Sequence, residues 1–123
     1  MLMKDRNATI EEARYLKSIY KTEDAIELLS GLIRPGQIDE EVQNELADGY
    51  IQAGDLDAAA STYSTLLMMK PESILYRIKL MLTTYRSKDY KSSSELGLSI
   101  IKRDTIPAIV SLTADSFNMM AMP

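Results

Sequence analysis

Apolar residues recur along almost the whole chain at the spacing of one helix face, as in Leu46, Ala47 and Tyr50 and again in Ala59, Tyr63 and Leu66. No Asn-Gly or Asp-Gly pair joins two alternating β-branched runs, so nothing predicts a β-hairpin. The breakers are sparse and evenly placed: Pro35-Gly36, Gly54-Asp55, Lys70-Pro71, Lys88-Asp89 and Ile106-Pro107. The segments between them predict an all-α chain of about seven helices, over 8–20, 23–34, 40–53, 56–69, 72–87, 90–103 and 107–120. Start signals agree with these bounds. Thr22, Asp39, Asp55, Asp89 and Asp104 each offer a capping oxygen, and Glu23, Asp24, Glu40 and Glu41 put negative charge on a first turn. Pro71 is expected inside the first turn of the next helix, where its missing N–H costs little.

The pattern also repeats. In 40–73, EEVQNELADGYIQAGDLDAAASTYSTLLMMKPES, small residues stand at Ala47 and Ala59, aromatic ones at Tyr50 and Tyr63, a turn glycine at Gly54 and a late proline at Pro71. This 34-residue unit resembles the tetratricopeptide repeat, although Gln43 stands where that family often has a Trp. Each position has a mechanical reason. Ala47 and Ala59 let two antiparallel helices approach closely, Tyr50 and Tyr63 fill the space to the next hairpin, and Gly54 supplies the positive φ that ends a helix. One such hairpin cannot bury its apolar face alone, so stacking must complete the core.

The neighbouring units are less regular. Aligned from Arg6, Ala13, Leu16, Thr22, Ala25, Leu29 and Leu32 keep the spacing, with Tyr20 at the turn in place of glycine. Aligned from Ile74, Leu80, Lys88, Tyr90, Ser93 and Ile100 fit, but Thr84 and Gly97 replace the two aromatics, which predicts looser packing with Tyr85 filling part of the gap. Ala114-Asp115-Ser116-Phe117 then echoes Ala47-Asp48-Gly49-Tyr50. The resemblance implies a tail over 1–5 and a single domain over 6–123, with repeats at 6–39, 40–73 and 74–106 and a partial repeat at 107–123. It implies a right-handed superhelical solenoid of antiparallel helix pairs. The last helix lacks a hairpin partner here, so Ile109, Leu112, Ala114, Phe117 and Met120 are expected to form an open packing or oligomer face. The chain is accordingly expected to be a portion of a longer repeat protein, with a last helix that caps itself or a homodimer through that face as the alternatives.

The same resemblance assigns a ligand groove to the first helix of each hairpin. It would be lined by Asn44, Glu45, Asp48, Ile51 and Gln52, then by Ile78, Lys79, Leu82, Tyr85 and Arg86, with Glu41 and Leu75 beside them. The preceding unit would add Asn7, Ile10, Glu11, Arg14, Lys17 and Ser18. A groove acidic in its middle and apolar and basic later suits a peptide with a basic and an apolar stretch. The alternative is that Glu41, Glu45 and Asp48 are solvated or pair with Lys79 and Arg86. The clamp by which chaperone-tail receptors of this fold hold a terminal carboxylate is opposed here, because two of Asn44, Glu45 and Asp48 would repel it.

Composition removes most chemistry. The 123 residues hold no His and no Cys, which excludes zinc fingers, thiolate sites, Cys nucleophiles, Ser-His-Asp triads and disulfides. Acid pairs such as Glu11-Glu12 and Glu40-Glu41 diverge around a helix instead of converging. No phosphate loop or metal spacing is present, so no catalytic residue, cofactor or metal is expected. Ser92-Ser93-Ser94 could accept phosphate, and a polar early helix turn explains it as well. Residues 1–60 carry 6 Lys/Arg against 13 Asp/Glu, and residues 61–123 carry 8 against 5, so net charges of −7 and +3 make up the overall −4. The basic set Arg77, Lys79, Arg86, Lys88, Lys91, Lys102 and Arg103 has few aromatics for stacking, which disfavours nucleic acid. Apolar runs of only a few residues span no membrane, the N-terminus does not read as a secretion signal, and the cytoplasm is slightly favoured. The expected function is a non-enzymatic scaffold that binds another protein or a peptide. A structural spacer or oligomerisation segment is the alternative, and an RNA-binding helical repeat the remote one.

Overall fold

The computed structural model describes residues 5–122, so most of the expected tail and the final Pro123 lie outside the described residues. The described chain folds into α1 (Arg6–Ser18), α2 (Thr22–Ser30), α3 (Glu40–Ala53), α4 (Leu56–Met69), α5 (Ile74–Arg86), α6 (Tyr90–Ile101) and α7 (Pro107–Ala121). Two compact units divide within α4, one ending at Thr62 and the other beginning at Tyr63.

The repeat is written into the backbone. Tyr20, Gly54 and Lys88, each 34 residues from the next, all take left-handed conformations, with φ of 61°, 78° and 67°. The hydrogen bonds around them are the same three times. Tyr20 N–H donates to the Lys17 carbonyl and Lys21 N–H to that of Leu16 at 2.8 Å; Gly54 donates to Ile51 and Asp55 to Tyr50 at 2.9 Å; Lys88 donates to Tyr85 and Asp89 to Thr84 at 2.9 Å. This paired closure satisfies the last carbonyls of α1, α3 and α5 and reverses the chain for the following helix. A tyrosine and a lysine therefore hold a conformation that costs an L-residue roughly 1–2 kcal/mol.

The central helices match the sequence expectation, and the others shift for local reasons. Asp5 accepts from the Asn7 N–H and starts α1 at Arg6, and the left-handed turn at Tyr20 stops it by Ser18. α2 ends at Ser30, not at 34, because Pro35 disfavours helix just before it and the Arg34 guanidinium caps the Gly31 carbonyl at 2.9 Å. Thr22 is not the cap of α2; it is its first residue, and its hydroxyl donates to Gln52 Oε1 at 2.8 Å. Asp39, Asp55 and Asp89 cap as expected. Ser73 caps α5 by accepting from the Tyr76 N–H, which leaves Pro71 in the preceding turn instead of inside the helix. α7 opens on Pro107 after Ile106 with no side-chain cap, so Asp104 does not serve it.

In the first unit Ile10, Ala13, Ala25, Leu29, Val42 and Leu46 form one buried cluster, on which Leu16, Ile26, Leu32 and Tyr50 pack. Ala47 and Ala59 are fully buried, as nested hairpins require. In the second unit Met81, Ile100 and Ile109 are buried together, with Ile78, Leu96, Ile101, Ile106 and Leu112 against them. The looser packing expected around Thr84 and Gly97 is not found. Met81 stands where Ala13 and Ala47 stand, and its Cε would lie 2.9 Å from a Cβ added at Gly97, so the large residue has moved from one partner position to the other. Thr113 Oγ1 would lie only 2.0 Å from that Cβ, which makes glycine the residue that admits α7 against α6. Tyr85 does not fill this space; its hydroxyl bonds to Asp115.

Candidate interaction site

α1 and α3 meet along a ladder of alternating charges. Arg6 forks onto Asp39, with Nε–Oδ2 at 2.6 Å and Nη2–Oδ1 at 2.9 Å, and also reaches Glu41 at 2.8 Å. Arg14 donates to Glu11, Glu41 and Glu45 at 2.6, 3.1 and 2.9 Å. Lys17 closes the row on Glu45 Oε1 at 2.6 Å and on the Glu45 carbonyl at 3.1 Å. The helical period makes this possible, because Glu41 and Glu45 lie one turn apart on α3 while Arg14 and Lys17 lie one turn apart on α1. The Arg6 fork holds Asp39 below its usual carboxyl range against partial burial, and the Val42 N–H assists. Burial opposes the Glu45 charge, yet the bonds from Lys17 and Arg14 outweigh it and lower its carboxyl as well.

The ladder changes the meaning of the α3 residues expected to line a groove. Glu45 is largely covered and doubly paired, and its cations come from α1, not from Lys79 or Arg86. Gln52 accepts from Thr22 and donates to the Lys17 carbonyl at 2.9 Å, and the Asn44 amide donates to the Glu40 carbonyl at 3.1 Å. Asp48 is exposed and Ile51 half-buried. Ile10 is core and cannot line a surface. The signal for the ladder lay in the repeat register, which sets α1 bases beside the next unit's acids.

On α5 the picture differs. Leu75 is 58% and Leu82 39% exposed, and Arg86 is exposed too. The Lys79 ammonium sits 5.8 Å from the centre of the Tyr63 ring, a cation–π contact. Ile78 is half-buried against the second core. The Tyr85 hydroxyl donates to the Asp115 carboxylate and its ring meets that of Tyr90 edge-on at 5.7 Å; the Asp115 bond pushes the Tyr85 phenol up from its ordinary value.

α7 turns Ile109, Thr113 and Ser116 into the unit, where Ser116 Oγ bonds Ser93 Oγ at 2.7 Å. Ile109 is therefore core, contrary to the open face expected of it, and Leu112 packs beside it. Ala114, Phe117 and Met120 remain on the surface, joined by Val110 and Met119. Of the basic set, Arg77 donates to Ser99 Oγ and the Pro71 carbonyl, and Arg103 pairs with Glu72 at 3.4 Å. Among the described residues no group of three or more His, Cys, Asp or Glu could hold a metal ion, and no helix is long and apolar enough to cross a membrane.

The sequence matches no known family's pattern and no curated protein. Solved structures do match. MamA of AMB-1 superposes with a TM-score of 0.74 at 15% identity, over 92% of this chain and 62% of that one, so the chain spans less than two thirds of its length. The Sgt2 TPR domain from Aspergillus fumigatus gives 0.71 at 15% identity, over 93% and 78% of the two chains. PcrH from Pseudomonas aeruginosa gives 0.69 at 16% identity, over 98% and 92%, and PcrH is also similar when in complex with the chaperone binding region of PopB. The all-α, tetratricopeptide-like fold that the spacing of Ala47, Gly54 and Ala59 implied is thus the fold of the chain.

Proposed function

We propose that the chain is a non-enzymatic interaction scaffold that holds a peptide or a neighbouring domain of another protein on the outward side of α5. The observation that carries this reading is the exposure of Leu75 and Leu82 on α5, neither of which joins the buried cluster of its unit. PcrH supports it as a protein of the same fold that holds a region of another protein. Lys79, Tyr85 and Arg86 are the flanking contacts; Glu45 and Gln52 hold the first unit together instead. A displayed random-peptide library panned on the full chain tests the proposal. Selected peptides are expected to lose binding with Leu82→Asp and to keep it with Phe117→Asp. Selection of no peptide, or loss with Phe117→Asp alone, rejects the assignment.

The second reading, an oligomerisation or spacer segment, is favoured by one observation: Phe117 and Met120 are 44% and 42% exposed on α7. Sedimentation at rising concentration separates it, since a chain that stays monomeric has no self-contact there.

A further inference from the structure

We propose that the ligand of the α5 side is an acidic, aliphatic peptide segment, received by Leu75, Lys79, Leu82 and Arg86. This rests on the scaffold reading above and narrows it to one ligand chemistry. The four residues follow one another at intervals of four, three and four along α5, which puts them on a single side of the helix. One 34-residue repeat earlier the same places hold Glu41, Glu45, Asp48 and Gln52 on α3.

The two sides have opposite electrostatics. On α3, Glu41 and Glu45 are already met by Arg6, Arg14 and Lys17 at 2.6–3.1 Å, so a basic ligand would have to displace charge-assisted bonds to reach them. On α5 the cations have no carboxylate partner among the described residues: Lys79 faces the Tyr63 ring, and Arg86 points no bond at any described side chain. α5 itself contains no acid. Of the five acids elsewhere in its unit three are occupied, since Asp115 takes the Tyr85 hydroxyl, Glu72 pairs with Arg103, and Asp89 caps α6, while Glu95 stands on α6 and Asp104 before α7. What remains is a stripe in which leucine and cation alternate. A segment alternating carboxylates with aliphatic side chains complements it, covering Leu75 and Leu82 from water and meeting Lys79 and Arg86 with opposite charge.

Fluorescence anisotropy of the full chain with a labelled peptide alternating Glu and Leu, against one alternating Lys and Leu, tests this. The acidic peptide is expected to bind, more weakly as salt rises, and the basic one not to. Arg86→Glu and Lys79→Glu should each weaken binding about tenfold or more, while Asp48→Lys on α3 leaves it unchanged. Arg86 is exposed, so unaltered circular dichroism of Arg86→Glu shows that the loss is local. Binding indifferent to Arg86→Glu and Lys79→Glu overturns the inference. Preference for the basic peptide, abolished by Leu82→Asp, overturns it too but leaves the scaffold reading standing. Failure of both peptides, together with an empty library selection, removes both.

Discussion

Glu45→Lys is expected to destabilise the first unit by roughly 2–4 kcal/mol, somewhat under the range for breaking a fully buried ion pair. The substitution removes the acceptor of both Lys17 and Arg14 and places a third cation between them. Solvent screening at the more exposed Arg14 tempers the effect, whereas Lys17 and Glu45 are both largely covered. The pH dependence follows with a definite sign. Asp39 and Glu45 titrate lower when folded than when unfolded, so their contribution is complete above the ordinary carboxylate range and disappears as pH falls through their folded values. Urea denaturation of the wild type should therefore show a midpoint that drops in acid. Glu45→Lys should start from a lower midpoint and drop less. An unchanged midpoint at neutral pH would mean that the ladder is surface decoration.

Gly97→Leu should be comparably damaging to the second unit, by about 1–3 kcal/mol for overpacking and more if α7 is driven off α6. The first atom beyond the backbone already collides, with Thr113 Oγ1 at 2.0 Å and Thr113 Cβ at 3.0 Å. Glycine in mid-helix ordinarily costs about 1 kcal/mol relative to alanine, so a substitution at an unconstrained site would stabilise. The sign of the change is thus diagnostic. Thr113→Gly in the Gly97→Ala background should recover part of the loss, and calorimetry of the single and double variants would show no coupling if the two residues were not in contact.

These two sites also mark where the sequence was hard to read. Gly54, Ala47 and Ala59 announce a hairpin because only small or glycine residues suit a close crossing and a left-handed turn. The turns at Tyr20 and Lys88 carry no such mark; the surrounding contacts impose the conformation, and only the 34-residue register reveals it. Gly97 read as missing volume because its compensation, Met81, lies on another helix, and pairwise exchange of large and small is invisible to a residue-by-residue pattern. Thr22 has the chemistry of a cap and spends it on Gln52. Likewise the acids of α3 looked like a ligand surface because their charge is local information, while their partners on α1 follow from how one repeat lies on the next. Ile109 reads as part of an open face only if nothing packs on its side of α7, and Met81 of α5 and Ile100 of α6 do.

The most direct test of the repeating hairpin is the stability of Tyr20→Gly and Lys88→Gly. Tyr20 is 82% exposed, so its removal sacrifices little packing. Relief of the left-handed strain should outweigh the extra freedom of glycine in the unfolded chain, giving a gain of up to about 1 kcal/mol at each site. Gly54→Ala should move stability the other way, though the space around its Cβ is open. Urea denaturation in which both glycine variants are at least as stable as the wild type, and Gly54→Ala is less so, is the expected result. Loss of stability in both glycine variants would contradict the three equivalent turns and the repeat built on them.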